Sequence, residues 1–282
     1  MSKLKTTTKK SKIKIIFLGN TKYSIIGARI INTVYPITLF VTIPDCPVRD
    51  LALDLKIPFI ETTVLDKTIL EEIKKINPDF LVVEDYGLIL PQQFLDIPNY
   101  APLNIHHSLL PKYRGPSPAP FAILNGDTES GVSIIEMVNQ VDAGDILAQE
   151  KYKLTEKETT DTLLTKLNQL GGELMIQVIK QYVEGTQNPL RQEESKATFT
   201  KHFEKIDGYF DIDNPPTVEK LDKMIRAYFP WPGVWCKWKM ENGKWKIVKL
   251  LPNQMIQMEG KKPISLKDFL NGYPDFPIKQ MR

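Results

Sequence analysis

A chain of 282 residues, 42% hydrophobic and 25% charged, has globular composition and room for one large domain and a smaller one. No apolar run approaches the roughly 20 residues of a membrane-spanning helix, and the first residues lack the apolar core of a secretory signal, so a cytoplasmic protein is expected. A net charge of +3 announces no nucleic-acid partner, and two distant cysteines, Cys46 and Cys236, exclude a disulfide framework.

Charge is concentrated at the ends. Residues 1–14 hold six lysines and no acid, and residues 1–12 read as a basic tail. From Ile13 short apolar runs alternate with helical patterns, as in an α/β domain with a mostly parallel sheet flanked by helices. Strands are predicted at KIKIIFLG, ITLFVTI, PFIE and DFLVVEDYG, with helices near 22–33, 47–56 and 66–76. In the third helix Leu65, Ile69, Leu70, Ile73 and Ile76 recur at helical spacing, the stripe that a covering helix buries. Strands follow at PLNIH and GVSIIEMV with a helix near 118–125 between them, then a strand at ILAQEKYKL and a long helix over 158–185.

The polar stretch Gly185 to Ser195 reads as a linker, and the boundary falls near 205. A catalytic domain over 13–205 and a smaller module over 206–282 result. In that module a helix over 217–227 stops before Pro230-Trp231-Pro232. VWCKWKM, Glu241-Asn242-Gly243 and KWKIVKL then form a β-hairpin signal, Asn-Gly supplying the positive φ values of a tight turn. From Lys237 to Lys249 there are five lysines against the single Glu241. A solvated edge and a phosphate-binding surface are both open readings. Trp231, Trp235, Trp238 and Trp245 likewise either fill a small barrel or stack on bases.

The turn Gly19-Asn20-Thr21 lacks the second glycine of the dinucleotide fingerprint, so no NAD is expected. No phosphate-binding GxxxxGK[ST] occurs, and three histidines with two scattered cysteines give no metal spacing. Catalysis therefore falls to ordinary side chains. The richest segment is APLNIHHSLLPKYRG. A strand ending Asn104-Ile105-His106 turns Asn104 and His106 to one side and His107 to the other. An amide donor suits a developing oxyanion and a neutral imidazole suits a proton, together the needs of acyl transfer to an amine. Ser108-Leu109-Leu110-Pro111 gives a rigid apolar bend able to wall a flat ring. On the turn Val141-Asp142-Ala143-Gly144-Asp145, Asp142 could reach the imidazole, fix its tautomer and stabilise its charged form. Singly, a turn-capping Asn104, a satisfied buried His106 and a turn-forming Asp142 are equally ordinary readings.

The set Asn104-x-His106-x-Ser108-Leu109-Leu110-Pro111, Arg114-Gly115, Gly126-Asp127-x-x-x-Gly131-Val132 and Asp142-x-Gly144-Asp145 resembles the formyltransferases that use 10-formyltetrahydrofolate. Asp85-Tyr86-Gly87-Leu88-Ile89-Leu90-Pro91 is similar to that family's folate loop. The resemblance runs from about Lys12 to about Asp275. It implies a Rossmann-like formyltransferase fold, catalysis by Asn104, His106 and Asp142, and a folate site at Tyr86, Gly87, Leu88, Ile89 and Leu90, at Ser108, Leu109, Leu110 and Pro111, and at Asn139 and Val141.

Arg226-Ala227-Tyr228-Phe229-Pro230-Trp231-Pro232-Gly233 resembles the start of the second domain of methionyl-tRNA formyltransferases, although some sugar formyltransferases carry a related Pro-Trp-Pro. The tail Glu259-Gly260-Lys261-Lys262-Pro263-x-Ser265 resembles the tRNA enzymes' closing segment. The implied partners are initiator methionyl-tRNA and the folate donor; a monomer is expected. Two departures stand out. Pro44-Asp45-Cys46-Pro47-Val48-Arg49 passes almost directly into a helix where the family has a long basic loop, and the C-terminal module is short for a full OB barrel. An amino-sugar nucleotide as acceptor, a noncatalytic RNA-binding protein on this fold, and a folate hydrolase remain as alternatives.

Overall fold

The alternation of strand and helix builds a seven-stranded sheet in a computed structural model that describes residues 13–240 and 243–281. The basic tail 1–12 and residues Glu241 and Asn242 of the hairpin turn lie outside the described residues. In chain order the elements are β1 (Ile15–Gly19), α1 (Ser24–Val34), β2 (Ile37–Thr42), α2 (Pro47–Leu55), β3 (Phe59–Glu61), α3 (Lys67–Ile76), β4 (Phe80–Glu84), α4 (Gln92–Leu95) and β5 (Ala101–His106). Then come α5 (Pro118–Asn125), β6 (Glu129–Glu136), β7 (Ile146–Lys153) and α6 (Thr160–Glu184). The order is β3-β2-β1-β4-β5-β6-β7; the first five strands are mutually parallel, and β6 runs against both β5 and β7.

Strand alternation supplies two cores. On one face Phe17, Phe80, Val82, Leu103 and Ile105 pack under α1 and α6. On the other Leu18, Leu81, Val83, Leu70, Ile73 and Phe94 pack together. The sheet is wound in opposite directions from β1 and β4, so their carboxyl ends diverge into a crevice, the usual ligand position in such folds. α3 starts where the Asp66 side chain accepts a hydrogen bond from the Ile69 N–H and ends at the left-handed Asn77, just before Pro78.

The second part adds α7 (Val218–Ala227), β8 (Val234–Lys239), β9 (Trp245–Leu251), β10 (Met255–Met258), β11 (Ile264–Ser265) and α8 (Leu266–Gly272). Its four strands form an antiparallel sheet, β11-β10-β9-β8. Val234, Cys236, Val248, Leu250, Ile256 and Phe269 share one core with Ile123 of α5 and Leu163 and Leu167 of α6. The small sheet is therefore anchored on the large domain through apolar packing. Trp238 is a filler, its ring 5.2–6.3 Å from Phe269, Tyr273 and Phe276. Trp235, Lys237 and Lys239 alternate with it along β8, and they pair with Lys249, Ile247 and Trp245 of β9 on the opposite face.

Candidate active site

β5 carries the two reactive side chains because its alternate residues, Leu103 and Ile105, are claimed by the core beneath α6. Asn104 and His106 then project from the other face, at the end of the strand facing the crevice. Asp142 arrives from the turn between β6 and β7. There it adopts φ +50°, and a Cβ at Gly144 would run into the carbonyl oxygen of Glu136, so only glycine closes this turn.

The three groups meet. The Nδ2 of Asn104 donates to Oδ1 of Asp142 at 3.4 Å, and Nδ1 of His106 lies 3.5 Å from Oδ2 of the same carboxylate. That Oδ2 also accepts the backbone N–H of Gly115 at 2.7 Å. The other ring nitrogen of His106, Nε2, donates to the carbonyl oxygen of Tyr113 at 2.9 Å. A carbonyl only accepts, so Tyr113 fixes the neutral tautomer with Nε2 protonated and Nδ1 open. Here the structure differs from the sequence expectation, which assigned that role to Asp142. The carboxylate instead faces the nitrogen that can take a proton. Burial holds the His106 imidazole below its ordinary range, opposed by Asp142 and the Tyr113 carbonyl. A neutral base beside a carboxylate is poised to accept a proton, and an amide nitrogen with a second N–H can meet a developing negative oxygen.

His107 turns to the opposite face, as alternation requires. Its Nδ1 is 3.4 Å from Oδ1 of Asp85, and its Nε2 is 3.8 Å from Oε1 of Glu84, an ion-pair distance rather than a hydrogen bond. Asp85 also accepts from the Thr21 hydroxyl at 3.1 Å. Glu84 is wholly buried, and a side chain on Gly27 of α1 would collide with its carboxyl group. Burial pushes the Glu84 carboxyl up to about 8, against the opposing pull of His107. Burial alone would lower His107, but Asp85 and Glu84 together carry it to about 10.

The expected folate residues lie on three segments. In the loop after β4, Tyr86 and Leu90 are buried, Leu88 is half-buried and Ile89 is 75% exposed, while Gly87 has φ +81°. The Tyr86 hydroxyl is buried without a hydrogen-bond partner among the described residues. Across from it, Asn139 and Val141 are exposed, as is Val138. Met137 packs on the cluster that holds Tyr86, Leu88 and Leu90, so the two loops stand side by side with apolar side chains in solvent. That suits a flat ring between apolar walls. The bend 108–111 is locked from below. Ser108 donates through its hydroxyl to the Lys112 carbonyl at 2.6 Å, and Ser133 donates to the Ser108 carbonyl at 2.6 Å. Leu110 is buried against Ile135 and Ile146, Leu109 is half-buried over Gly131, and the Pro111 carbonyl accepts from Thr198 N–H at 3.2 Å.

Three residues escaped the sequence reading. Asn20 donates to the Tyr86 carbonyl and accepts from Ile43 N–H at 2.9 Å, tying the loop after β4 to β1 and β2. Tyr113 acts through its backbone, which no side-chain pattern announces. Gln192, within a stretch read as linker, is 6% exposed. A separate cavity of about 740 Å³ between α5, α7 and residues 207–217 includes none of these groups.

Residues 20–179 match the formyl transferase family. The methionyl-tRNA formyltransferase of Lactobacillus johnsonii is 32% identical, with 92% of this chain and 95% of that protein aligned. Among solved structures, a 4-N formyltransferase from Francisella tularensis is similar in fold (TM-score 0.68, 20% identity, 86% of this chain and 98% of that one). So is HypX from Aquifex aeolicus in complex with tetrahydrofolic acid (TM-score 0.66, 16% identity, 94% of this chain and 48% of that one).

Proposed function

The chain belongs to the formyl transferase family, and from that membership we propose that it transfers the formyl group of 10-formyltetrahydrofolate to the α-amine of methionyl initiator tRNA, supporting translation initiation. Similarity to a methionyl-tRNA formyltransferase over nearly the whole of both chains favours that acceptor. The observation that carries the chemistry is the convergence of Asn104 and His106 on the Asp142 carboxylate, at 3.4 and 3.5 Å.

The folate donor supplies an activated formyl group. Ile89, Val138 and Val141, exposed on the two adjacent loops, fit its flat ring. Asn104 holds the formyl oxygen as it gains negative charge. An α-amine with an ordinary pKa near ~8 is partly uncharged at neutral pH and needs little activation, so the difficult proton is the one left on nitrogen after attack. His106 takes it at Nδ1, Asp142 stabilises the resulting imidazolium, and the same nitrogen can return the proton to the departing folate. All three side chains come from one chain, so a monomer suffices, and the cytoplasm is where a charged initiator tRNA is met.

The acceptor arm has no long loop to grip it after β2, since only residues 43–46 separate β2 from α2. The outer face of the small sheet offers an alternative. It presents Trp235, Lys237, Lys239, Trp245 and Lys249, with Lys205 lying 5.3 Å from the ring of the exposed Trp231. Cations interleaved with aromatics suit phosphate and base together. The test is to offer the purified protein 10-formyltetrahydrofolate with charged initiator tRNA and, separately, with amino-sugar nucleotides. Formylmethionine on tRNA is expected. Formylation of the sugar alone would overturn the acceptor and leave the chemistry standing.

A further inference from the structure

Asn104 and His106 stand on β5 and Asp142 on the turn between two further strands of the large sheet, yet the backbone of that turn is held from the segment that leads to the small sheet. Gln192 lies in that segment and is almost wholly buried. Its Nε2 donates to the carbonyl oxygens of Asp142 and Gly144, both at 2.7 Å. Its Oε1 accepts from Nε and Nη2 of Arg114 at 3.1 and 2.9 Å. Both amide protons and both oxygen lone pairs are thereby used. Arg114 is itself fully buried, and its Nη2 and Nη1 also donate to Glu194 at 2.7 and 3.0 Å. The same segment is stitched down on either side of Gln192. Leu190 and Ile146 exchange backbone hydrogen bonds at 2.8 Å, and Arg114 is bonded to Thr198 and Thr200 through its own backbone at 2.8 Å.

This arrangement answers a question the Asp142 turn poses. Asp142 stands at φ +50°, a conformation that a residue other than glycine keeps only when its surroundings over-determine it. The Gly115 N–H grips its side chain, and Gln192 grips its peptide and the one two residues on. Rotation of that peptide would swing Oδ2 away from His106 Nδ1, already at 3.5 Å. We propose that Gln192 is a positioning residue that fixes the Asp142 carboxylate toward His106, so that seating of the linker completes the active site. The inference rests on the role given to Asp142 above.

The test reads the His106 imidazole in the full chain without substrate. His106 is faced by Asp142 from the β6–β7 turn, by Asp85 from the end of β4 and by its neighbour His107. Of these residues, Asp142 is the one whose backbone carbonyl Gln192 holds. His106 is titrated by NMR in the wild type, in Asp142→Asn, in Gln192→Leu, in Gln192→Met, and in Asp142→Asn combined with each. Losing the aligned carboxylate lowers the midpoint, so Asp142→Asn and both Gln192 variants should lower it, the latter by about 0.5–1 pH unit. In the Asp142→Asn background the Gln192 changes should add nothing. Turnover in formyl transfer should fall by about 10- to 10²-fold with donor KM within about threefold, because a misplaced group slows chemistry without emptying the folate site. Thermal melting identifies which Gln192 variant is folded, and either one suffices.

The proposal is overturned if a folded Gln192 variant leaves the His106 midpoint unmoved, or if the change is equally large without the Asp142 carboxylate. A lowered midpoint with unchanged formyl transfer would support the positioning and instead remove Asp142 from the proposed chemistry.

Discussion

Asp142→Asn keeps the shape of the side chain and removes its charge, which isolates what the carboxylate does for His106. Two unit charges 3.5 Å apart at an effective dielectric of about 20 attract by about 4.7 kcal/mol. The Asp142 side chain is only 12% exposed, so water screens this little. If about half of the proton's charge has reached the ring in the transition state, about 2.4 kcal/mol is lost, or roughly 60-fold in rate. Asp142 also raises the His106 pKa against burial. Its removal therefore moves His106 further below its ordinary range, and the acid limb of kcat/KM, which reports the neutral base, should shift to lower pH. Single-turnover formyl transfer across the pH range measures both effects. A variant within about twofold of wild type at neutral pH, or an acid limb displaced upward, would refute the reasoning.

Asn104→Ala should lower turnover by on the order of 10²–10³ while folate binding persists, since one preorganised oxyanion donor is lost; equilibrium folate binding beside single-turnover rates checks it. The Glu84 carboxyl sits at about 8 in the fold against an ordinary 4.5. The stability it contributes is complete below the ordinary value and is lost as pH rises through about 8. Glu84→Gln abolishes that titration, so urea unfolding should show the variant gaining on wild type by about 4 kcal/mol between about pH 4.5 and about pH 8. For the tRNA surface, changing Lys237, Lys239 and Lys249 to glutamine should make the slope of log affinity against log salt shallower by about 0.7–0.9 for each lysine that meets a phosphate. An unchanged slope, measured by filter binding, would place the grip elsewhere.

Much of the fold was legible because the parallel strands are short apolar runs that alternate with helices. The hydrophobic stripe from Leu65 to Ile76 marked a covering helix that forms as α3. Alternation also put Asn104 and His106 on one side of β5 and His107 on the other. What escaped was decided by contacts distant in sequence. The short strands β10 and β11 and helix α8 have too few residues for a periodic signal. Gln192 lies among polar residues, which suggest solvent, yet Arg114 and the Asp142 turn bury it. The tautomer of His106 depends on a carbonyl at Tyr113, and backbone groups leave no trace in composition. Glu84 shares the core-facing register of Phe80 and Val82, but its accommodation depends on the space left by Gly27 and the charge of His107.

The most direct test of the account compares wild type and His106→Ala in single-turnover formyl transfer from 10-formyltetrahydrofolate to methionyl-tRNA as a function of pH. In the wild type the acid limb set by His106 should lie below the ordinary histidine value of about 6.5, because burial disfavours the imidazolium. His106→Ala should lose roughly 10²–10⁴ in rate and show no such limb. A folded variant that formylates methionyl-tRNA within a few-fold of the wild-type rate, with the same limb, would contradict the assignment of His106 as the base.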